Sequence, residues 1–155
     1  LAVPADRTAL LALVHEALTD NPEFQSRYKD PAYFTPDESA RWFTAWVERD
    51  FSAPATLKGV WRVDGAPAAY FGYTPLAART GLPHYKSTIA AVAPRYRGHK
   101  AHIFLQTTLF DAMPADEFWV SNVSQLGNVS VIRNDLSLGR WLNRLLLTFF
   151  RRGPV

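Results

Sequence analysis

Val92-Ala93-Pro94-Arg95-Tyr96-Arg97-Gly98-His99-Lys100-Ala101 joins two segments of different period. Before it, Tyr85 to Val92 reads as a strand, closed by Pro94. After it, residues from about Gly98 to Met113 keep a helical spacing, with Ala101, Phe104, Leu105, Thr108 and Leu109 on the apolar side and Pro114 beyond the end. The first amides of such a helix have no internal acceptor and sit at the positive end of its dipole, so they attract phosphate. Gly98 permits close approach of backbone to a ligand, and Arg95, Arg97 and Lys100 bring positive charge. The alternative is an ordinary strand-to-helix turn with solvated basic residues.

Outward from this stretch, Val60 to Val63 and Ala68 to Tyr73 flank Asp64-Gly65, a hairpin signal, and Gly81 and Pro83 lie in a turn-rich link to the next strand. A helix is expected to start at Thr35, because Thr35 with Glu38 forms a capping-box pattern and Pro36 suits the first helical position. Trp42, Phe43, Trp46 and Val47 make its apolar stripe. Earlier, Leu1 to Val3 reads as a first strand. A helix follows it, with Leu10, Leu13, Val14, Ala17 and Leu18 in phase and Asn21-Pro22 at its end. Phe24, Tyr28, Tyr33 and Phe34 stand among turn formers in a loop. Toward the other end, Phe118 to Val123 is a short strand, Asn128 to Leu138 a helix stopped by Gly139, and Leu145 to Phe150 a final strand. Helices distributed among strands in this way predict an α/β fold with a mixed sheet covered on both faces.

The 155 residues show no internal repeat, so a single domain over 1–155 is expected. Leu1 rather than Met opens the chain, and the expectation is that further N-terminal residues precede it. A hydrophobic fraction of 48% against 20% charged belongs to a soluble globular class, and no apolar run approaches the ~20 residues of a membrane span. With no cysteine, disulfides, thiolate catalysis and cysteine metal sites are excluded, and a cytoplasmic location is expected. The net charge of +3 comes without any base-reading motif, so no nucleic-acid partner is expected. His15, His99 and His102 lack metal-ligand spacing, so no metal is expected.

The residues from Val92 to Ala101 resemble the acetyl-CoA motif of the GNAT N-acetyltransferases, in which Arg or Gln is followed by two residues, Gly, one residue, and Gly or Ala. Arg97 matches the leading basic residue, which puts Lys100 and His102 at the two small-residue positions, a departure from the pattern. A phase starting at Arg95 sets Gly98 on the glycine and Lys100 on the second small position; the Val-x-Pro lead and the downstream helix favour Arg97. Asn128, Val131 and the Leu138-Gly139 pair match the family's later signature, and the similarity covers essentially the whole chain. Asn128 to Arg133 and Leu147-Thr148-Phe149 resemble acyltransferases of amino sugars in polysaccharide pathways, although Phe150 stands where those carry His.

This resemblance implies a GNAT-like mixed, mostly antiparallel sheet, and acetyl-CoA or another acyl-CoA as cofactor. It implies transfer of the acyl group to a primary amine of a small molecule, with a nucleotide-linked amino sugar in view, and leaves room for a homodimer. A non-catalytic acyl-CoA-binding or interaction module of the same fold is the alternative. The implied cofactor residues are Ala90, Ala91, Val92, Arg97, Gly98, His99, Lys100, Ala101, His102 and Asn128, the last being equally readable as a helix N-cap. Asp135 falls where the family carries its Tyr acid, and is the catalytic candidate; an Asp of ordinary pKa cannot protonate a thiolate unless burial raises it, and a surface acid is the other reading. Tyr85, Ser87, Thr88 and His84 could hold a water for proton removal, or serve as structural hydrogen bonders. Tyr33, Trp42, Tyr73 and Tyr85 are the candidates for the acceptor pocket. Trp42, Trp46 and Trp61 could also line it, though their spacing equally suits a core.

Overall fold

The computed structural model describes residues 1–124 and 128–140, and the expected strand at Leu145 to Phe150 lies outside them. Its elements are α1 (Arg7–Val14), α2 (Pro36–Ser52), β1 (Leu57–Val63), β2 (Ala66–Arg79), β3 (Leu82–Val92), α3 (Ala101–Asp111), β4 (Trp119–Ser121) and α4 (Val129–Ser137). The four strands lie side by side in chain order. β1–β2 and β2–β3 are antiparallel and β3–β4 is parallel. The sheet is therefore mixed and mostly antiparallel.

Alternation along β2 and β3 divides the core into two layers. Tyr70, Ile89 and Ala91 pack under α1 and α2 with Leu10, Leu13, Val14, Phe43 and Val47. Ala69, Phe71, Tyr73 and Tyr85 pack under α3 with Ala101, Leu105 and Leu109. Helices thus cover both faces. Among the described residues no helix is long and apolar enough to cross a membrane.

Local chemistry explains most element boundaries. Asp64 and Gly65, then Thr80 and Gly81, all take positive φ, the two-residue turn that matches strand twist. The second hairpin is tighter than the link expected at Gly81–Pro83, because β2 continues through Pro75. The last pair of β2 with β1 is Leu57 with Tyr73, so Pro75 lies where β2 has β3 alone as neighbour and a missing N–H is tolerated. Thr35 Oγ1 accepts from Glu38 N–H at 3.3 Å while Glu38 Oε2 accepts from Thr35 N–H at 2.8 Å, the expected capping box. Thr35→Ala should lower stability by about 1 kcal/mol in urea unfolding, without changing the slope of the transition.

Three expectations need correction. Leu1 to Val3 is not a strand: Ala2 N–H reaches Lys58 O at 2.7 Å, but the Asp6 carboxylate claims Val3 N–H and Pro4 has none to offer, so pairing stops after one rung. Trp42 is 45% exposed, and the buried face of α2 is Ser39, Phe43, Val47 and Asp50. On α3 the buried face is Ala101, His102, Leu105, Gln106 and Leu109, while Phe104 and Thr108 face outward. Thr108 satisfies its hydroxyl on the Phe104 carbonyl at 2.9 Å, so a threonine in the apolar phase needed no burial.

Candidate active site

β4 meets β3 only at His84, Tyr85 and Lys86. Beyond them β3 runs on to Val92, paired with β2 on one side and, among the described residues, with no strand on the other. Ala90 and Val92, which alternate with the residues that bond to β2, therefore turn their backbone groups to an edge that no strand covers among the described residues.

A bulge stands just before this edge. Phe71 pairs with Ala90 and Tyr73 with Ser87, so Thr88 and Ile89 together oppose Gly72. The extra residue turns both side chains toward the α1–α2 face. Ile89 enters the core there, and Thr88 Oγ1 donates to Asp50 Oδ2 at 2.6 Å. Gly72 makes room for this pair, since a Cβ on it would lie 2.4 Å from Thr88 Oγ1 and 2.8 Å from Asp50 Oδ2.

β3 then passes through a 3-10 turn, Pro94–Tyr96, into α3. Gly98 has φ 84 and Lys100, the N-cap, φ 57. For lysine that left-handed conformation costs about 1–2 kcal/mol, which glycine would avoid. The first helical bond is Phe104 N–H to Lys100 O, and the Lys100 side chain makes no cap bond, so the amides of Ala101, His102 and Ile103 have no acceptor within the helix. Space beside Gly98 is open. Arg97 donates to Ala17 O at 2.9 Å, and His99 Nδ1 lies 3.2 and 3.1 Å from the carbonyls of Tyr96 and Arg97. These side chains engage carbonyls and not the first amides of α3. His102 is buried against Phe71, ring centroids 5.0 Å apart, and its Nε2 has no partner among the described residues; burial lowers its pKa and keeps it neutral.

Under α3 a polar network joins β2, β3, α3 and α4 with Asn122 and Arg140, which follow β4 and α4. Ser87 Oγ donates to Asn122 Oδ1 at 2.5 Å, and Asn122 Nδ2 to Asp135 Oδ2 at 2.6 Å. Asp135 Oδ1 also accepts from Arg140 Nη1 at 2.9 Å and from Gln106 Nε2 at 3.3 Å. Arg140 Nη2 bonds Tyr73 Oη and Gln106 Oε1, and Tyr73 OH donates to Gln106 Oε1 at 2.6 Å. Asp135 is thus an acceptor in each contact, neither a plain surface acid nor an unpaired acid facing open space. Asn128 caps α4, its Oδ1 accepting Val131 N–H at 3.4 Å. His84 Nε2 sits 2.9 Å from Ser121 Oγ across the parallel pair.

The four acceptor-pocket candidates are not brought together. Tyr73 and Tyr85 are buried under α3, whereas Tyr33 and Trp42 are exposed on the α2 side, Trp42 stacking on Tyr28 at 5.5 Å. Trp46 and Trp61 pack against the two cores.

Solved structures with the same chain path carry this geometry into a known architecture. The aminoglycoside N-acetyltransferase AAC(6')-Iy in complex with CoA superposes with a TM-score of 0.67 at 11% identity, over 98% of this chain and 92% of that one. An acetyltransferase of the GNAT family from Streptococcus pneumoniae gives 0.60 at 16%, over 89% and 80%. The fold is that of the GNAT acetyltransferases. The ribosomal-protein-S18-alanine N-acetyltransferase from Escherichia coli has it too, at 0.59 and 16%, over 89% of this chain and 73% of its own. No family model and no curated sequence matches the chain.

Within the GNAT fold, the buried groups Gln106 and Asp50 escaped the sequence reading, as did Asn122 and Arg140. Gln106, fully buried, was hidden by the misphased α3. Asp50, 1% exposed, was hidden by its charge. A signal existed: Asp50 falls three residues after Val47 and seven after Phe43, in phase with the buried stripe of α2.

Proposed function

We propose that this chain is an N-acyltransferase that moves an acetyl or other acyl group from acyl-CoA to the primary amine of a small molecule. The observation that carries this reading is the edge of β3 that no strand covers among the described residues, leading through the Pro94–Tyr96 turn to an α3 N-terminus without a side-chain cap from Lys100. The two features suit the two halves of one ligand. Backbone groups of Ala90 and Val92 would pair with the amides of the pantetheine arm as a strand does. The amides of Ala101, His102 and Ile103 would hold the diphosphate, helped by the exposed Lys100 ammonium and the charge of Arg97.

Bound there, acyl-CoA supplies an activated thioester. The bulge at Thr88–Ile89 leaves β3 with a backbone amide outside the ladder, suited to stabilise the oxyanion. Asp135, at the position of the family's Tyr, would act as an anchor: by pairing with Arg140 and tying Asn122 to Gln106 it holds β4 and α4 beside the site. Asn128 would serve the site by capping α4. Likeness to aminoglycoside acetyltransferases, together with Asn128 to Arg133, supports an amino sugar as acceptor, and a nucleotide-linked one is our preferred form.

Acetyl-CoA at millimolar concentration should raise the melting temperature, and thiol release should follow when an amine panel is added. Lys100→Glu should weaken acetyl-CoA binding about tenfold or more, because repulsion replaces attraction at the diphosphate. Lys100→Gly should change it by much less, since the attraction is removed without a repulsion being added, while relief of the left-handed backbone raises the stability of the fold. Binding without turnover for any amine would favour the non-catalytic module, which Lys100 and His102 at the small-residue positions also suit; no thermal response at all would remove both readings.

A further inference from the structure

On the α2 side of β3 lies a cleft of about 310 Å³, bounded among others by Arg49, Asp50, Lys86 and Thr88. Asp50 is a carboxylate placed in an apolar stripe. Desolvation raises its pKa, against the opposing effect of Thr88, Tyr70, Arg49 and Lys58. Tyr70 OH, at 2.9 Å, and Thr88 Oγ1 both donate to Oδ2, and no bond to Oδ1 occurs among the described residues. The ammonium of Lys58 does not pair with this carboxylate: it donates to the carbonyls of Thr56 at 2.7 Å and Asp50 at 3.2 Å. Asp50 is therefore held by hydroxyls and, among the described residues, bonded by no cation, at the bulge that precedes the open stretch of β3. Arg49 and Lys86 are both exposed, and neither pairs with a carboxylate among the described residues.

We infer that this cleft is the acceptor subsite and selects an amine that also carries an anionic group, phosphate or carboxylate: Asp50 takes the proton of the ammonium while Arg49 and Lys86 hold the anion. The inference rests on the acyltransferase reading above. Removal of one proton from R–NH3⁺ by Asp50 leaves a neutral amine, whose lone pair forms the C–N bond to the thioester carbonyl carbon. As the C–S bond breaks, its electron pair leaves with sulfur, which takes up a second proton from nitrogen. Asp50 then returns its proton to water through the cleft. The products are an amide and a free thiol. A carboxylate whose affinity for protons is raised by burial suits this task better than an ordinary Asp.

The test compares an amino sugar with its phosphate ester, and an amino acid with its amide, each with acetyl-CoA. The anionic acceptors should show kcat/KM about tenfold higher or more. Arg49→Ala/Lys86→Ala should remove this preference mainly through KM. Asp50→Asn should lower kcat about 10²–10³-fold and abolish the acid limb of the pH profile, in which activity falls as Asp50 protonates. Acetyl-CoA should still raise the melting temperature of this variant. Without acetyl-CoA, Asp50→Asn should raise the melting temperature at neutral pH but not at low pH. The sign follows from a folded pKa above the unfolded value of 3.8: Asp50's contribution to stability is present while it is protonated and is lost as pH rises through the folded pKa.

Should Asp50→Asn fail to fold, Thr88→Val removes one donor to the carboxylate and should move the acid limb to higher pH. Unchanged kcat and acid limb in Asp50→Asn, or an unaltered anion preference in the double variant, would overturn the inference. A wild type that binds acetyl-CoA and acylates neutral amines as well as anionic ones would overturn it while sparing the acyltransferase reading. A wild type that neither binds acetyl-CoA nor releases thiol would sink that reading itself.

Discussion

Gly72→Ala should destabilise the protein by about 3 kcal/mol, from overpacking and from a damaged hydrogen bond to a buried acid. The added methyl would sit 2.4 Å from Thr88 Oγ1 and 2.8 Å from Asp50 Oδ2, so at least one must move. Thr88 is β-branched, with few side-chain orientations open to it, and turning its hydroxyl away breaks the bond to Asp50. Asp50 cannot retreat far, because it is buried between α2 and the sheet and also bonded to Tyr70. Urea unfolding of Gly72→Ala, Thr88→Ala and the double variant separates the parts. The double variant should be more stable than the sum of the single losses predicts, since one deletion vacates the space the other fills. Simple additivity would mean that the methyl finds room elsewhere.

Asp135→Ala should cost a similar amount, about 3 kcal/mol. The side chains of Asp135 and Arg140 are only 13% and 15% exposed, so removing the acid leaves a guanidinium largely cut off from water and without its carboxylate. Asn122 and Gln106 lose an acceptor at the same time. Adding Arg140→Met should recover much of the loss, because it is the unpaired charge that is costly. This experiment also separates two roles for Asp135. An anchor loses stability on replacement and loses activity in proportion to the shift of β4, whereas a proton donor would lose kcat at unchanged stability in Asp135→Asn.

What could be read in advance was local. The Thr35–Glu38 cap, the Asp64-Gly65 turn and the passage from β3 into α3 are each written in a few adjacent residues, and each forms as read. The phase of α3 was harder, because Phe104 and Thr108 fit an apolar stripe as well as His102 and Gln106 fit a polar one. Tertiary contact decided it: Gln106 is drawn inward by Tyr73 and Asp135, partners 33 and 29 residues away. The network from Ser87 to Tyr73 has no spacing to betray it, since its members come from separate elements. Asp50 was legible in principle, but a charge in an apolar phase is normally taken for the helix's wet side.

The bulge has a consequence for which changes in length this chain tolerates. Side chains alternate between the two faces of a sheet, so inserting or deleting one residue in β3 after Thr88 would send Ala90, Ala91 and Val92 to the wrong layers, and a change before it would misplace Ser87 and Tyr85. Natural variation in length should therefore gather in the two hairpin tips, Asp64-Gly65 and Thr80-Gly81, where loops grow without shifting any pairing. The middle strand behaves as a ruler, with both chemical faces of the protein calibrated against a single extra division.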